Sequence, residues 1–221
     1  ILFLFFIIIS IFITAERSNF ITVAIFFIFF NFFLFFINKK FSLIIFTFLS
    51  ITLIFLSLSN KELSNRMTST VVKELKNFNF QSNKSFLNKD SHYFAHYSTA
   101  YQLFERNIFF GIGLKNFRNL CDNDEFNKEI HETWHKKKCA THPHNYYFEF
   151  LSELGLIGFL FYISFFIYFF YKFLKSKNYF IILSSLILLV NFIPFLPRGS
   201  FFTNWNAIIF WTIFAFIFSK Y

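Results

Sequence analysis

The chain has 221 residues, 56% of them hydrophobic and only 15% charged, with 44 Phe and a formal net charge of +9. A soluble domain carries nearer one quarter charged residues, so this composition excludes an ordinary water-soluble fold and implies an integral membrane protein. Five Gly, three Pro and heavy Phe, Ile, Lys and Asn usage point to a codon bias, which makes most phenylalanines lipid-facing filler.

The first apolar run, 1–14, would extend about 21 Å as a helix, short of the ~30 Å hydrocarbon core. Position 1 is Ile rather than Met, and neither a basic n-region nor a small-residue cleavage site accompanies the run. The chain is therefore expected to be the C-terminal part of a longer protein. Further apolar segments fall at 20–37, 41–58, 148–171, 179–195 and 201–219, each near spanning length. Six transmembrane helices are predicted, because unbroken apolar runs lack the alternation of a membrane barrel. Lys39, Lys40, Lys172, Lys175, Lys177 and Lys220 fall on one side, Arg17 and Arg198 on the other. That asymmetry makes the lysine side cytoplasmic and the segment 59–147 extracytoplasmic.

This segment holds 13 of the 21 Lys and Arg, nine of the 12 Asp and Glu, and all six His, for a net +4. It reads either as a solvated face or as a basic loop that attracts anionic lipid head groups or diphosphates. Phe94, Tyr97, Tyr101 and Phe104 recur at helical spacing and predict one amphipathic helix, which the turn Gly111-Ile112-Gly113 ends. Phe126, Ile130 and Trp134 predict a second, closed by Lys136, Lys137 and Lys138. The stretch 61–90 has few bulky residues and is expected to be mobile. Cys121 and Cys139 both lie in the loop, and an extracytoplasmic pair is expected to form a disulfide.

Two motifs carry less than they suggest. His131-Glu132-Thr133-Trp134-His135 fits a zinc-protease pattern, but the only further ligand signalled is a cysteine assigned to the disulfide, and the adjacent lysines disfavour another cation; the plainer reading is a solvated helix. Gly111-Ile112-Gly113-Leu114 lacks the third glycine and the preceding strand of a dinucleotide fingerprint. Its plain job is to end a helix, with an anion cradle beside Lys115 and Arg118 as the alternative.

The stretch from Thr141 to Gly158 marks the change of solvent. Pro143 limits the chain before it, Asn145 is a good N-cap for a helix entering the bilayer, and Tyr146 and Tyr147 suit the interfacial belt. Glu149 would complement the helix dipole, Glu153 would need a partner, and Gly155 and Gly158 would admit another helix. His144 stands at the mouth, where an imidazole with pKa near 6.5 suits a hydroxyl nucleophile; a structural hydrogen bond is the bland alternative.

His-Pro-His-Asn-Tyr-Tyr followed by Glu-x-x-x-Glu-x-Gly-x-x-Gly resembles the signature of the O-antigen ligase and polymerase family, where a large periplasmic loop ends just before a transmembrane helix. The run from Arg106 to Phe117 resembles the family's loop turn, and Ala15-Glu16-Arg17-Ser18 an arginine-bearing helix end. The resemblance implies metal-independent, cofactor-free transfer of a glycan from an undecaprenyl diphosphate carrier to an acceptor hydroxyl, at the outer face of the bacterial inner membrane. It implies His144 as the base and Arg17 as the diphosphate residue, with His142, Asn145, Lys115 and Arg118 as substrate contacts. The family's second loop arginine is missing from Ser91-His92-Tyr93-Phe94-Ala95-His96-Tyr97, so His92, His96 or Arg118 is the candidate replacement.

The expected fold is an all-α integral membrane protein, a multi-spanning helical bundle with a large, partly helical periplasmic loop. Residues 1–58 supply three transmembrane helices, the first truncated, 59–147 the loop, and 148–221 three more. Its partners would be the carrier-linked glycan, a lipid A core or glycan acceptor, and membrane lipids, with no nucleic acid. A repeat-unit polymerase would share the donor with a ligase. The competing class is a non-catalytic carrier-binding protein, which would need polar residues along several helices; here they amount to little beyond Asn31, Asn191, Glu149 and Glu153.

Overall fold

The structure, a computed structural model, describes residues 9–10, 17–59, 65, 92–122, 139–194 and 196–218, and every regular element among them is a helix. These are α1 (Arg17–Ile37), α2 (Lys39–Ser59), α3 (His92–Arg106), α4 (Phe117–Leu120), α5 (Tyr146–Lys175), α6 (Tyr179–Val190) and α7 (Asn204–Phe218). The zinc-type motif at 131–135, the second amphipathic helix, the stretch 61–90 and nearly all of the first apolar run lie outside the described residues. The chain divides into two compact units, 1–83 and 84–221.

In the first unit, α1 and α2 contain the predicted segments 20–37 and 41–58 and form a hairpin. Asn38 alone separates them, and its side-chain oxygen accepts the Phe41 N–H at 3.1 Å, so one asparagine ends one helix and caps the next. Phe27, Ile45 and Leu49 are buried between the helices. Above them the Ser42 hydroxyl donates to Asn31 Oδ1 at 2.6 Å, an interhelical bond of the kind that contributes about 0.6 kcal/mol in a membrane. Phe32, Phe36, Ile44 and Phe55 face outward, as lipid contact requires. The hairpin also frames a cleft of about 460 Å³, lined by apolar side chains apart from Asn31, Ser42 and Ser50; none of these lining groups titrates near neutral pH.

The second unit is organised on α5, packed by α3, α6 and α7. Its core is aromatic: Tyr146, Phe150, Tyr162, Phe169, Phe192, Phe201 and Phe210 are buried together. α3 confirms the predicted helix but turns a different face inward. Ala95, His96, Thr99, Ala100 and Leu103 are buried, while Tyr101 is exposed. Small residues allow α3 and α5 to approach closely, and only Tyr97 of the described aromatics joins the contact, stacking on Phe148 at 4.8 Å.

Among the described residues, three helices are long and apolar enough to cross a membrane: Ser18–Ile37, Lys39–Leu56 and Tyr146–Lys175. The segment expected at 179–195 is helical to Val190, and that at 201–219 is helical from Asn204 through Phe218, the last described residue. Asn191 caps the first, and Pro194 and Pro197 cannot continue a helix. At 12 residues, α6 measures about 18 Å, less than a full crossing.

Candidate active site at the mouth of α5

Asn145 begins α5 as expected. Its Oδ1 accepts the N–H groups of Tyr147 at 2.9 Å and Phe148 at 3.4 Å, and its Nδ2 donates to the Pro194 carbonyl. Immediately before it His144 adopts φ +59°. A side-chain-bearing residue in this region costs on the order of 1–3 kcal/mol. The neighbours that hold it there are the Asn145 cap and Arg198, whose N–H donates to the His144 carbonyl at 2.8 Å.

This turn gathers three imidazoles. The half-buried His144 ring lies with its centroid 4.2 Å from His142 and 5.2 Å from His96, with Tyr93 at 5.9 Å. His96 comes from the buried face of α3 and is 1% exposed. His142 is committed at both nitrogens. Nε2 stands 3.1 Å from the Arg198 carbonyl, which only accepts, so Nε2 carries the proton. Nδ1 is then left to accept the Thr141 hydroxyl at 2.9 Å. Burial pushes the His142 pKa down; the bond to the Arg198 carbonyl works against this, and the Arg118 charge adds to the lowering. The ring is thus held neutral.

The two glutamates of α5 are anchors. Glu149 accepts the Phe201 N–H at 2.8 Å and fixes the α6–α7 connection. Glu153 accepts the Lys115 N–H at 2.6 Å and fixes the turn after α3. Two residues past Glu153 α5 is broken: Gly155 has φ +66° and ψ −164°, a conformation essentially confined to glycine. In an unbroken helix Leu156 and Ile157 would donate to the carbonyls of residues 152 and 153. Here they donate instead to Ile108 and Phe109, while the Ser152 and Glu153 carbonyls accept from Ile112 and Gly113.

This exchange revises two sequence expectations. Gly155 admits an extended turn rather than another helix. The Gly111–Gly113 turn does not cradle an anion, because its N–H groups go to Asn107, Ser152 and Glu153. What remains for an anion are the side chains of Lys115 and Arg118, both exposed. Cys121 and Cys139 are joined by a disulfide, whose sulfurs lie 3.6 and 3.8 Å from the Arg118 carbonyl oxygen. The bridge therefore ties α4 to the strand of chain leading to His142.

Of the residues singled out in the sequence, His142, His144, Asn145 and His96 come together, and Arg118 acts on His142 through its charge. Lys115 enters through its backbone. Arg17 opens α1 in the first unit and His92 opens α3; their side chains lie outside the described set. Sequence reasoning missed Arg198, counting it only as a loop charge. Its Nη1 donates to Asn191 Oδ1 at 3.1 Å and its Nη2 to the Val190 carbonyl at 2.9 Å, and the guanidinium lies 6.0 Å from the Tyr146 ring centroid. Pro-x-x-Pro-Arg-Gly after an apolar run was the available signal. Among the described residues no three His, Cys, Asp or Glu side chains surround a common metal position.

Long apolar helices together with a histidine cluster at the mouth of one of them define a helical membrane protein with a site at a helix end. The O-Antigen ligase family matches residues 2–163, so the chain belongs to that family, whose members are ligases and polymerases of the glycosyltransferase type. No curated protein and no solved structure matches the chain.

Proposed function

We propose that the protein transfers a glycan from an undecaprenyl diphosphate carrier to an acceptor hydroxyl, with His144 as general base. The acceptor O–H gives its proton to His144, the oxygen attacks the anomeric carbon, and the bond from that carbon to the diphosphate oxygen breaks. The diphosphate leaves with the electron pair. An imidazole suits the proton transfer at neutral pH, and a guanidinium suits the growing charge better than an ammonium. Arg118 is assigned to the diphosphate from its exposed side chain, whose charge reaches His142, Lys115 from its exposed side chain on the preceding turn, and Arg17 by the family resemblance alone.

The observation that carries this reading is the division of labour in the histidine cluster. His142 spends both nitrogens on Thr141 and Arg198, and His144 is set beside it at positive φ, directly before the helix cap. Ligation to a lipid A core and polymerisation of repeat units use the same donor and the same step. The site would face the periplasm at the inner membrane. In cells, His144→Ala is expected to abolish surface glycan at unchanged membrane abundance. Normal glycan in that variant would refute the base and favour a carrier-binding protein without transferase activity. Arg17→Ala is expected to lose transfer with partial recovery in Arg17→Lys, and full activity in Arg17→Ala would remove that residue from the mechanism.

A further inference from the structure

The connection between α6 and α7, 191–203, lies beyond the family-matched residues 2–163, yet it is hydrogen-bonded along the whole approach to α5. The Arg198 N–H donates to the His144 carbonyl and the Arg198 carbonyl accepts from His142 Nε2. Asn145 Nδ2 donates to the Pro194 carbonyl and the Tyr147 hydroxyl to the Phe192 carbonyl. At the far end the Phe201 N–H donates to Glu149. Sequence explains why these carbonyls are available. Pro194 and Pro197 stop α6 from continuing, so acceptors that a helix would have consumed turn toward residues 142–147 instead.

We propose that Arg198 is a positioning residue for His144 and that the 191–203 connection forms one side of the transfer site. This rests on the assignment of His144 as base. The guanidinium bonds Asn191 and the Val190 carbonyl, so it closes residues 190–198 into a loop of set length. That closure decides where the Arg198 backbone meets His142 and His144. Only a planar fork makes both bonds; an ammonium on a flexible stem replaces them poorly.

The test combines chemical modification with turnover in the full chain, solubilised in detergent. Diethyl pyrocarbonate acylates neutral imidazole, and peptide mass mapping reads its rate at His142, which is protected while both nitrogens are engaged. In Arg198→Ala, His142 is expected to react about fivefold faster or more, the effect of losing one hydrogen bond. Transfer from an undecaprenyl diphosphate-linked glycan is expected to fall about a hundredfold, the usual cost of a misplaced catalytic group. Arg198→Lys is expected to lie between wild type and Arg198→Ala in both measurements, and it stands in should the alanine variant fail to fold. A mere cap on α6 would change the unfolding midpoint without exposing His142. Wild-type reactivity at His142 in the variants overturns the positioning role, and so does faster modification with transfer intact. Transfer retained by His144→Ala would instead refute the base, and His142 reactivity would still report on Arg198.

Discussion

His142 and His144 stand two residues apart in different settings: His142 is hydrogen-bonded at both ring nitrogens, and His144 is set at the mouth of α5 with φ +59°. The pH behaviour of His142 follows. Its folded pKa lies below the ordinary 6.5 because burial disfavours the charged ring. As pH falls through about 6.5 the unfolded chain binds a proton that the folded chain refuses, so stability drops and then levels once the folded ring also protonates. Thermal unfolding in detergent should therefore show a lower midpoint on the acid side, and His142→Gln should flatten that part of the profile. His144 was legible in the sequence because its neighbours are local signals: a proline, an N-cap and an interfacial tyrosine pair. Arg198 was not, since its partners His142 and His144 stand 56 and 54 positions away and nothing in the chain's periodicity reports such a pairing. Glu149 stands in the first turn of α5 as expected of a dipole partner; its bond to the Phe201 N–H, 52 positions away, was not legible for the same reason.

At the level of elements, α5 and the turn after α3 depend on each other through two glycines. A Cβ on Gly155 would lie 2.4 Å from the Phe109 carbonyl oxygen, and one on Gly111 would lie 2.4 Å from the Glu153 carbonyl carbon. Backbone cannot step aside as a side chain can. Gly155→Ala and Gly111→Ala should each cost about 3 kcal/mol or more, overpacking added to a left-handed alanine. Gly113→Ala meets only the Asn116 amide at 3.5 Å and should cost about 1 kcal/mol from its positive φ alone. Unfolding midpoints of the three variants would rank them. Apolar periodicity and the Asn145 cap made the existence and start of α5 readable. The break was not, because Gly-x-x-Gly in an apolar run also describes a helix-packing face, and only the docked 108–113 backbone distinguishes the two. The spacing of the α3 aromatics predicted the helix but not which face packs: close approach to α5 selected Ala95, Thr99 and Ala100, with Tyr97 buried and Tyr101 exposed.

For the molecule as a whole, composition was enough to identify a helical membrane protein, and the histidine signature was enough to identify the family. The end of α6 and the start of α7 were not readable from hydropathy, which counts apolar residues and does not see where prolines and backbone partners end a helix. The Cys121–Cys139 bridge closes a loop for which chain entropy gives about 3 kcal/mol. A Cys121→Ser, Cys139→Ser double variant should accordingly unfold at a lower temperature and be digested faster by protease between α4 and His142. The break at Gly155 also bears on how deep the protein sits. The part of α5 after it, 156–175, contains 20 residues and measures about 30 Å, the full thickness of the hydrocarbon layer. The preceding turns, whose buried Glu149 and Glu153 are satisfied by the Phe201 and Lys115 N–H groups rather than by water, are then not needed to cross that layer. The proposed diphosphate chemistry would then sit outside the apolar layer, with the carrier's lipid tail remaining within it.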